Sequence, residues 1–587
     1  LIILVLAYLI KMAKMKLKYT EYLDFLIVPV VWLLIFGKNA FSNLVLLDYA
    51  PSTFFDITKI IYMNDFKYSS YIFDFLKFIF LAVGINQLLF SISILIAMII
   101  SYHYIKRLSK LKNLPVSFTL LSALLFFFNP FIYSRIMVGQ IGVIISYLLM
   151  PVCIFYIIKL FQSQFEIKNI IKAVISITIA SSFSIHFIAL NVIVLLTASF
   201  WFYFYRQKSP ITPYFKGIVI LFILLILLNA IWLQGLFSNS SIFSVIDSSH
   251  ESFFAPKLSQ DIPAVAKVMG MWGFWREGGY ITSYRSMPIP LWYISAIILV
   301  ALMLIGYYST NKDKTSKFFF SLWWIGLILA TGISHPYTSP IFDFLFKNLP
   351  LFNGFRDSHK FVSFIALSYA YLIPLGLINI KQKIRNKPIV ASAFVFLALF
   401  IIAYTFPLIS LSNQVVSVGY PDSYIKVNEY LKTQPENNYA IYLPWQGYLT
   451  YDWSLKTSSD GRISVPINQI VERNVIQGED VLGSGNALTR KIVQCLDSQN
   501  TKCLENAGVR YVLKDKCAFY PGSYEWLNST KAYETKCLDV YQLDNKQVNI
   551  SKKIPGRFVF GLIISLVTFA GMVLVLARKS SKKPWQQ

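Results

Sequence analysis

The chain has 587 residues, 56% of them hydrophobic and 14% charged, with a formal net charge of +25 and a mean hydropathy of +0.56. Soluble globular chains are about 45–50% apolar and about 25% charged, so this composition excludes a soluble protein, along with disordered, collagen-like and small disulfide-scaffold chains. The positive charge is not a nucleic-acid footprint. Seven short segments beside apolar runs (11–18, 106–112, 159–172, 206–216, 312–317, 381–387 and 578–583) hold 25 of the 54 Lys and Arg and only two acids, Glu166 and Asp313. Basic residues gathered in alternate loops are the positive-inside signal of a multi-pass membrane protein.

The apolar runs predict twelve spans, near 23–37, 79–103, 116–134, 136–158, 173–188, 189–205, 217–236, 289–308, 318–333, 361–380, 388–408 and 558–577, with both termini cytoplasmic in the plasma membrane. The first ten residues are apolar but too short to span; Met12 or Met15 makes a natural start, and a truncated upstream helix is the alternative. The run 173–205 has basic segments on both flanks, so it reads as two tight helices bending near Ser181, Ser182 and Ser184. Residues 1–408 form the polytopic body, 409–557 an extracytoplasmic domain, 558–577 the last span and 578–587 a cytoplasmic tail. The segments 38–78, 237–288 and 334–360 also face outward on this map. The fold class is a multi-pass α-helical membrane protein with a small disulfide-bonded α/β or α+β domain before its last span.

Ionisable residues near the outer face are the informative ones, because charge beside lipid is costly. Asp48 follows the first span in Leu44-Val45-Leu46-Leu47-Asp48-Tyr49-Ala50-Pro51. A carboxylate there can take a proton from an acceptor hydroxyl, or else act as a solvated loop acid or helix cap. Asp56 is the runner-up. The hairpin Asn129-Pro130-Phe131-Ile132-Tyr133-Ser134-Arg135-Ile136-Met137-Val138-Gly139-Gln140 places Arg135 outward, as a phosphate contact or as the partner of a distant carboxylate. Gly139 there permits close approach, and Gln140 is a candidate substrate contact. His186 lies in the bend of the fifth and sixth spans. In the loop 237–288, His250, Glu251, Trp272, Trp275 and Arg276 suit sugar stacking and binding, or equally an interfacial belt. Arg356 and Lys360 fall four apart if a helix starts near Asp357, with His359 adjacent. Three such groups at a helix N-terminus make a phosphate cradle, the alternative being cations that snorkel to headgroups.

Within 409–557, the pattern predicts a helix over 422–431, a strand over 439–443, a helix-like stretch over 487–506 and a strand over 509–513. Cys153 sits in an apolar span and reads as core. Cys495, Cys503, Cys517 and Cys537 fall in the outer domain, where an even count reads as two disulfides. Three pairings are open, the sequential one closing the shortest loops, and zinc is disfavoured because the domain has no CxxC and no histidine. Sequons at Asn239, Asn528 and Asn549 also fall outside. The sequence has no P-loop, no GxGxxG on a βα unit, no HExxH and no nucleophile elbow.

At these residues the chain resembles the GT-C class of membrane glycosyltransferases, in particular arabinofuranosyltransferases of the α-(1→3) type. The resemblance rests on Leu47-Asp48, Asn129-Pro130 with Arg135 and Gly139-Gln140, Ser184-Ile185-His186, Phe355-Arg356-Asp357-Ser358-His359-Lys360-Phe361, and Leu443-Pro444-Trp445. It implies inverting transfer of a sugar from a polyprenyl-phosphate donor to a glycan or glycoconjugate acceptor of the cell envelope, with Asp48 as general base. Arg356, Lys360, His359 and Arg135 would then hold the donor phosphate. The lipid-linked sugar is a substrate, and no resident cofactor is expected. Asp48 is followed by Tyr49 and not by a second acid, which leaves a divalent metal an open question. The rival readings are a lipid-linked-glycan flippase or transporter, and a non-catalytic scaffold presenting the outer domain.

Overall fold

The computed structural model describes residues 24–55, 71–205, 211–236, 246, 248–256, 262–277, 289–310, 313–383, 387–435, 438–455, 461–478, 487–520, 522, 524–527, 529–544 and 556–578. Among them, ten helices are long and apolar enough to cross a membrane: Asp24–Phe41, Asn86–Lys110, Val116–Met137, Ile141–Gln162, His186–Phe204, Trp292–Ser309, Lys314–Ser334, Ser358–Lys383, Phe394–Leu411 and Gly556–Ala577. The expectation of twelve is corrected to this extent. Near 173–188 stands a helix of only 15 residues, Ile167–Ser181. Near 217–236 the apolar helix Thr212–Leu228 is likewise short. Each has a local reason. The first turns out at Ser182, whose hydroxyl bonds back to Ile179 O at 2.7 Å, before a new helix starts at His186. The second stops at Asn229, whose amide turns back to Leu225 O (2.7 Å) and reaches Thr178 Oγ1 (2.9 Å).

The centre of the membrane body is built around the spans Val116–Met137 and Ser358–Lys383, each 89% buried over its apolar window, whereas Gly556–Ala577 at the rim is 17% buried. Helices Ile289–Ser309 and Val362–Lys383 cross with no room for side chains between them. A Cβ on Gly306 would fall 1.9 Å from Leu372 O, and one on Gly376 2.6 Å from Leu302 O. With no hydrophobic drive between helices in lipid, this backbone-to-backbone approach is how small residues hold a bundle together.

The α/β domain starts with a helix, Asp422–Lys432. Its strands are β1 (Tyr439–Leu443), β2 (Tyr448–Thr450), β3 (Arg462–Ser464), β4 (Val475–Ile476), β5 (Val509–Asp515), β6 (Thr530–Tyr533) and β7 (Leu538–Gln542). Five of them form a mixed sheet in the order β4-β1-β5-β7-β6, with β1 parallel to β4 and β5, and β7 antiparallel to β5 and β6. Side-chain alternation gives the sheet two buried faces. Ala440, Tyr442, Tyr511 and Leu513 pack with Tyr424 and Val427 of the first helix, while Ile441, Leu443 and Val512 pack with Ile492 and Leu504. The stretch 487–506 is two helices, Ala487–Asp497 and Thr501–Asn506, because Asn500 caps the second by accepting from Cys503 N at 3.0 Å. The disulfides are Cys495–Cys503, which staples these helices, and Cys517–Cys537, which ties the end of β5 to the start of β7. Cys153 is free and buried.

Strands β2 and β3 form a separate hairpin, and through it the domain sits on the loop after the first span. Val418 N donates to Asn43 O at 3.3 Å, Ser464 N to Leu47 O at 2.7 Å and Thr53 N to Gln469 O at 2.9 Å. Tyr420 OH donates to Pro51 O at 2.7 Å, and Val45 is buried in the domain's own core.

Candidate functional site

The loop 44–50 is pinned from beneath by the hairpin after the third span. Asn129 starts the helix Pro130–Met137, its side chain accepting from Ile132 N at 3.0 Å, with Pro130 in the first turn where no amide is needed. The helix ends in Gly139, whose φ of +76° is the left-handed region glycine enters freely. A Cβ there would stand 2.8 Å from Tyr49 Cβ and 2.9 Å from Leu46 Cβ, so the loop lies directly on the hairpin. Asp48 N donates to Val138 O at 2.8 Å.

From this junction a string of side chains runs inward. Asp48 is exposed, and its two oxygens accept from neutral donors: Oδ2 from Gln140 Nε2 at 3.1 Å and Oδ1 from Tyr448 OH at 2.8 Å. Gln140 Oε1 accepts in turn from Arg135 Nη1 at 2.6 Å. Arg135, wholly buried, forks onto Asp357 at 2.6 Å and 3.3 Å, and its Nη2 lies 3.2 Å from His359 Nδ1. Lys360 Nζ reaches the same carboxylate at 3.2 Å. The Arg135 guanidinium also lies 4.5 Å from the centre of the Phe274 ring and 5.3 Å from that of Phe131. Burial works against the Asp357 charge, but Arg135 and Lys360 beside it hold the carboxyl well below the usual carboxylate range.

Several sequence expectations are corrected by this geometry. Arg135 is wholly buried and pairs with Asp357, the distant-carboxylate alternative weighed for it. Arg356 and Lys360 do not share a helical face. Ser358–Phe361 is a 3-10 turn and the α-helix starts only at Val362, so the register of an α-helix does not reach Arg356. Lys360 goes to Asp357, while the Arg356 guanidinium sits 4.8 Å from the Phe254 ring centre. Trp272 is 2% exposed with its ring edge-on to Tyr133, so it offers no face for sugar stacking. Trp275 is half-buried against Phe253 and Phe254 with Arg276 over its ring. His250 and Glu251 are buried on the short helix Ser248–Phe254, where burial and then Asp343 push the Glu251 carboxyl up to about 7.

His186 joins the site through backbone: its Nε2 lies 3.0 Å from Gly354 O and its Nδ1 3.3 Å from Ser184 Oγ, which steadies the segment carrying Arg356 and Asp357. Asp56 and the sequons Asn239, Asn528 and Asn549 lie outside the described residues. Two members of the string were not singled out in the sequence. Asp357 had a signal, being the one acid among Arg356, His359 and Lys360. Tyr448 had none, because its partner is 400 positions away. Among the described residues no group of three or more His, Cys, Asp or Glu is placed to hold a metal ion, and the neighbours of Asp48 named above are a neutral amide and a phenol.

No family model matches the chain, and no curated protein matches it. Among solved structures, the chain is similar to the arabinofuranosyltransferase AftD from mycobacteria, with a TM-score of 0.56 and 11% identity over 90% of this chain and 40% of that one. A mutant form of AftD gives a TM-score of 0.54, with 11% identity over 88% of this chain and 41% of that one. An oligosaccharyltransferase from Archaeoglobus fulgidus aligns with a TM-score of 0.40 at 12% identity, covering 84% of this chain and 68% of that one. The chain thus spans about 40% of the length of AftD. The fold is GT-C-like: a multi-pass helical membrane body with a disulfide-bonded α/β domain inserted before its last helix.

Proposed function

We propose that the chain is a membrane glycosyltransferase that moves a sugar, arabinofuranose or another pentose or hexose, from a polyprenyl-phosphate donor to a hydroxyl of a cell-envelope glycan or glycoconjugate. On this reading the site faces outward, both termini are cytoplasmic, and the α/β domain is extracytoplasmic, in keeping with the charge of the loops and the paired cysteines. The observation that carries the proposal is the short bridge between the exposed carboxylate and the buried cations: a single side chain, Gln140, bonds to both Asp48 and Arg135. A sugar held over that bridge has a base on one side and positive charge on the other.

The chemistry follows from the placement. Asp48 accepts the proton of the acceptor hydroxyl, and that oxygen attacks the anomeric carbon from the face opposite the phosphate. The bond from the anomeric carbon to the phosphate oxygen breaks, and the configuration inverts. The leaving phosphate gains negative charge, which Lys360, Arg356 and Arg135 stabilise with little reorganisation because Asp357 and Phe254 already hold them in place. His359 and His186 keep this basic segment in register.

The test is transfer in membranes containing the full chain, supplied with a panel of radiolabelled polyprenyl-phosphate pentoses and hexoses. Asp48→Asn should cut transfer by about 10²–10⁴-fold, the range for losing a general base. Because Asp48 is exposed and asparagine keeps its shape, the variant should stay folded, checked by its melting temperature against the parent. Undiminished transfer by Asp48→Asn would remove the assignment.

A further inference from the structure

Taking Asp48 as the base, the structure assigns a further role to the α/β domain: its Tyr448 is a positioning residue of the reaction centre, holding the Asp48 carboxylate in the orientation that meets the acceptor. An exposed aspartate on a loop would ordinarily rotate about both its side-chain bonds. Here each oxygen is held by a different body of the protein, Oδ2 by Gln140 of the membrane hairpin and Oδ1 by Tyr448 of the domain. The backbone on either side is divided in the same way. Asp48 N donates to Val138 O of the hairpin at 2.8 Å, and Leu47 O accepts from Ser464 N of the domain at 2.7 Å.

The two contacts from the domain have one origin. Tyr448 begins β2, and Ser464 is its direct cross-strand partner on β3. A single rung of that hairpin therefore supplies a backbone donor to Leu47 and a side-chain donor to Asp48. Beneath it, Leu449 and Ile463 are buried in the domain core together with Val45 of the same loop. The rung cannot shift without moving the domain. A carboxylate oxygen accepts more than one hydrogen bond, so the phenol and the amide can set its direction without excluding the acceptor hydroxyl. In this arrangement the domain completes the site, and its seating on the loop 43–53 sets whether the base points at the acceptor.

The test uses the full chain in membrane vesicles and the variant Tyr448→Phe, which keeps the ring and removes only the hydroxyl. Two readouts separate positioning from mere structure. The first is kinetic, with the donor panel above: kcat should fall about 3- to 10-fold, the worth of one hydrogen bond, with donor KM unchanged. The second needs no substrate. Labelling of Asp48 by a water-soluble carbodiimide with an amine nucleophile, read by mass spectrometry against pH, requires the protonated carboxyl. Loss of a donor to the charged form should move its midpoint upward by about 0.5–1 unit, and the acid limb of kcat should move with it. A Tyr448→Phe protein with parental kcat and an unmoved labelling midpoint overturns the inference, and if Asp48→Asn is then inactive the transferase reading still stands. An active Asp48→Asn overturns both.

Discussion

Two carboxylates stand at the ends of one hydrogen-bonded string and are treated in opposite ways. Asp357 is 4% exposed and pressed between Arg135 and Lys360, whereas Asp48 is exposed and held by an amide and a phenol. The difference teaches what each can do. A buried carboxylate with two cations is spent on its neighbours: it holds Arg135 still in an apolar interior, and it has no capacity to exchange a proton near neutral pH. An exposed carboxylate that an amide and a phenol orient can meet an incoming hydroxyl. One side chain type thus serves as counter-ion at one end and as candidate base at the other, and environment alone separates the roles.

The largest effect that would break this contrast comes from the buried end. Asp357→Ala leaves Arg135 with no counter-ion in a site that is 0% exposed. Thermal unfolding in detergent should show a loss of about 3–5 kcal/mol, the usual consequence of stranding a buried charge. Since the folded carboxyl lies below its unfolded value, the stabilisation is complete above the unfolded value near 3.9 and is lost only as pH falls further. The gap between parent and variant should therefore stay flat from about pH 8 to pH 5 and shrink below about pH 4. A gap that already closes at pH 6 would mean the pair is not charged as described.

A third carboxylate sharpens the comparison. Glu277 is held by the backbone amides of Gly273 and Phe274, and burial pushes it up to about 7 against a weaker pull from those amides and Lys267. Its folded value lies above its unfolded value, so the sign reverses: stability falls as pH rises from about 4.5 towards 7 and is level beyond. Glu277→Gln keeps an oxygen for both amides and removes the charge. It should be neutral at pH 4.5 and stabilise by up to about 3 kcal/mol at pH 8, read as a rise in melting temperature at the higher pH alone. The smallest effect belongs to Arg356. With its guanidinium over Phe254 at a half-exposed position, Arg356→Ala should change stability by less than about 1 kcal/mol. Its consequence should appear instead as a raised donor KM, and an unchanged KM would detach Arg356 from the phosphate.

Much of the architecture was legible because its causes are local. Apolar runs place the spans, and the short apolar runs at 439–443 and 509–513 mark β1 and β5. The break near Ser181 was also legible, since three serines within four residues have few other uses in an apolar run. The short helices at Ile167–Ser181 and Thr212–Leu228 were overestimated because hydropathy counts apolar residues without seeing where Ser182 and Asn229 turn the backbone. Among candidate site residues, Asp48, Arg135, Gln140, His359 and Lys360 meet in one string. Trp272, His250 and Glu251, whose residue types suit sugar binding and an interfacial belt equally, are buried in the structure, which composition does not reveal.

Sequence by itself determined that this is a multi-pass membrane protein with a cysteine-paired domain near its end, since composition, charge placement and short-range periodicity are properties of neighbouring residues. Only the tertiary structure decided the pairing that makes a site. Arg135 meets Asp357 across 222 positions, and Tyr448 meets Asp48 across 400. The physical reason is that a charge or donor selects its partner by distance and dielectric, both of which come into being only when the hairpin, the basic segment and the α/β domain pack around the same loop.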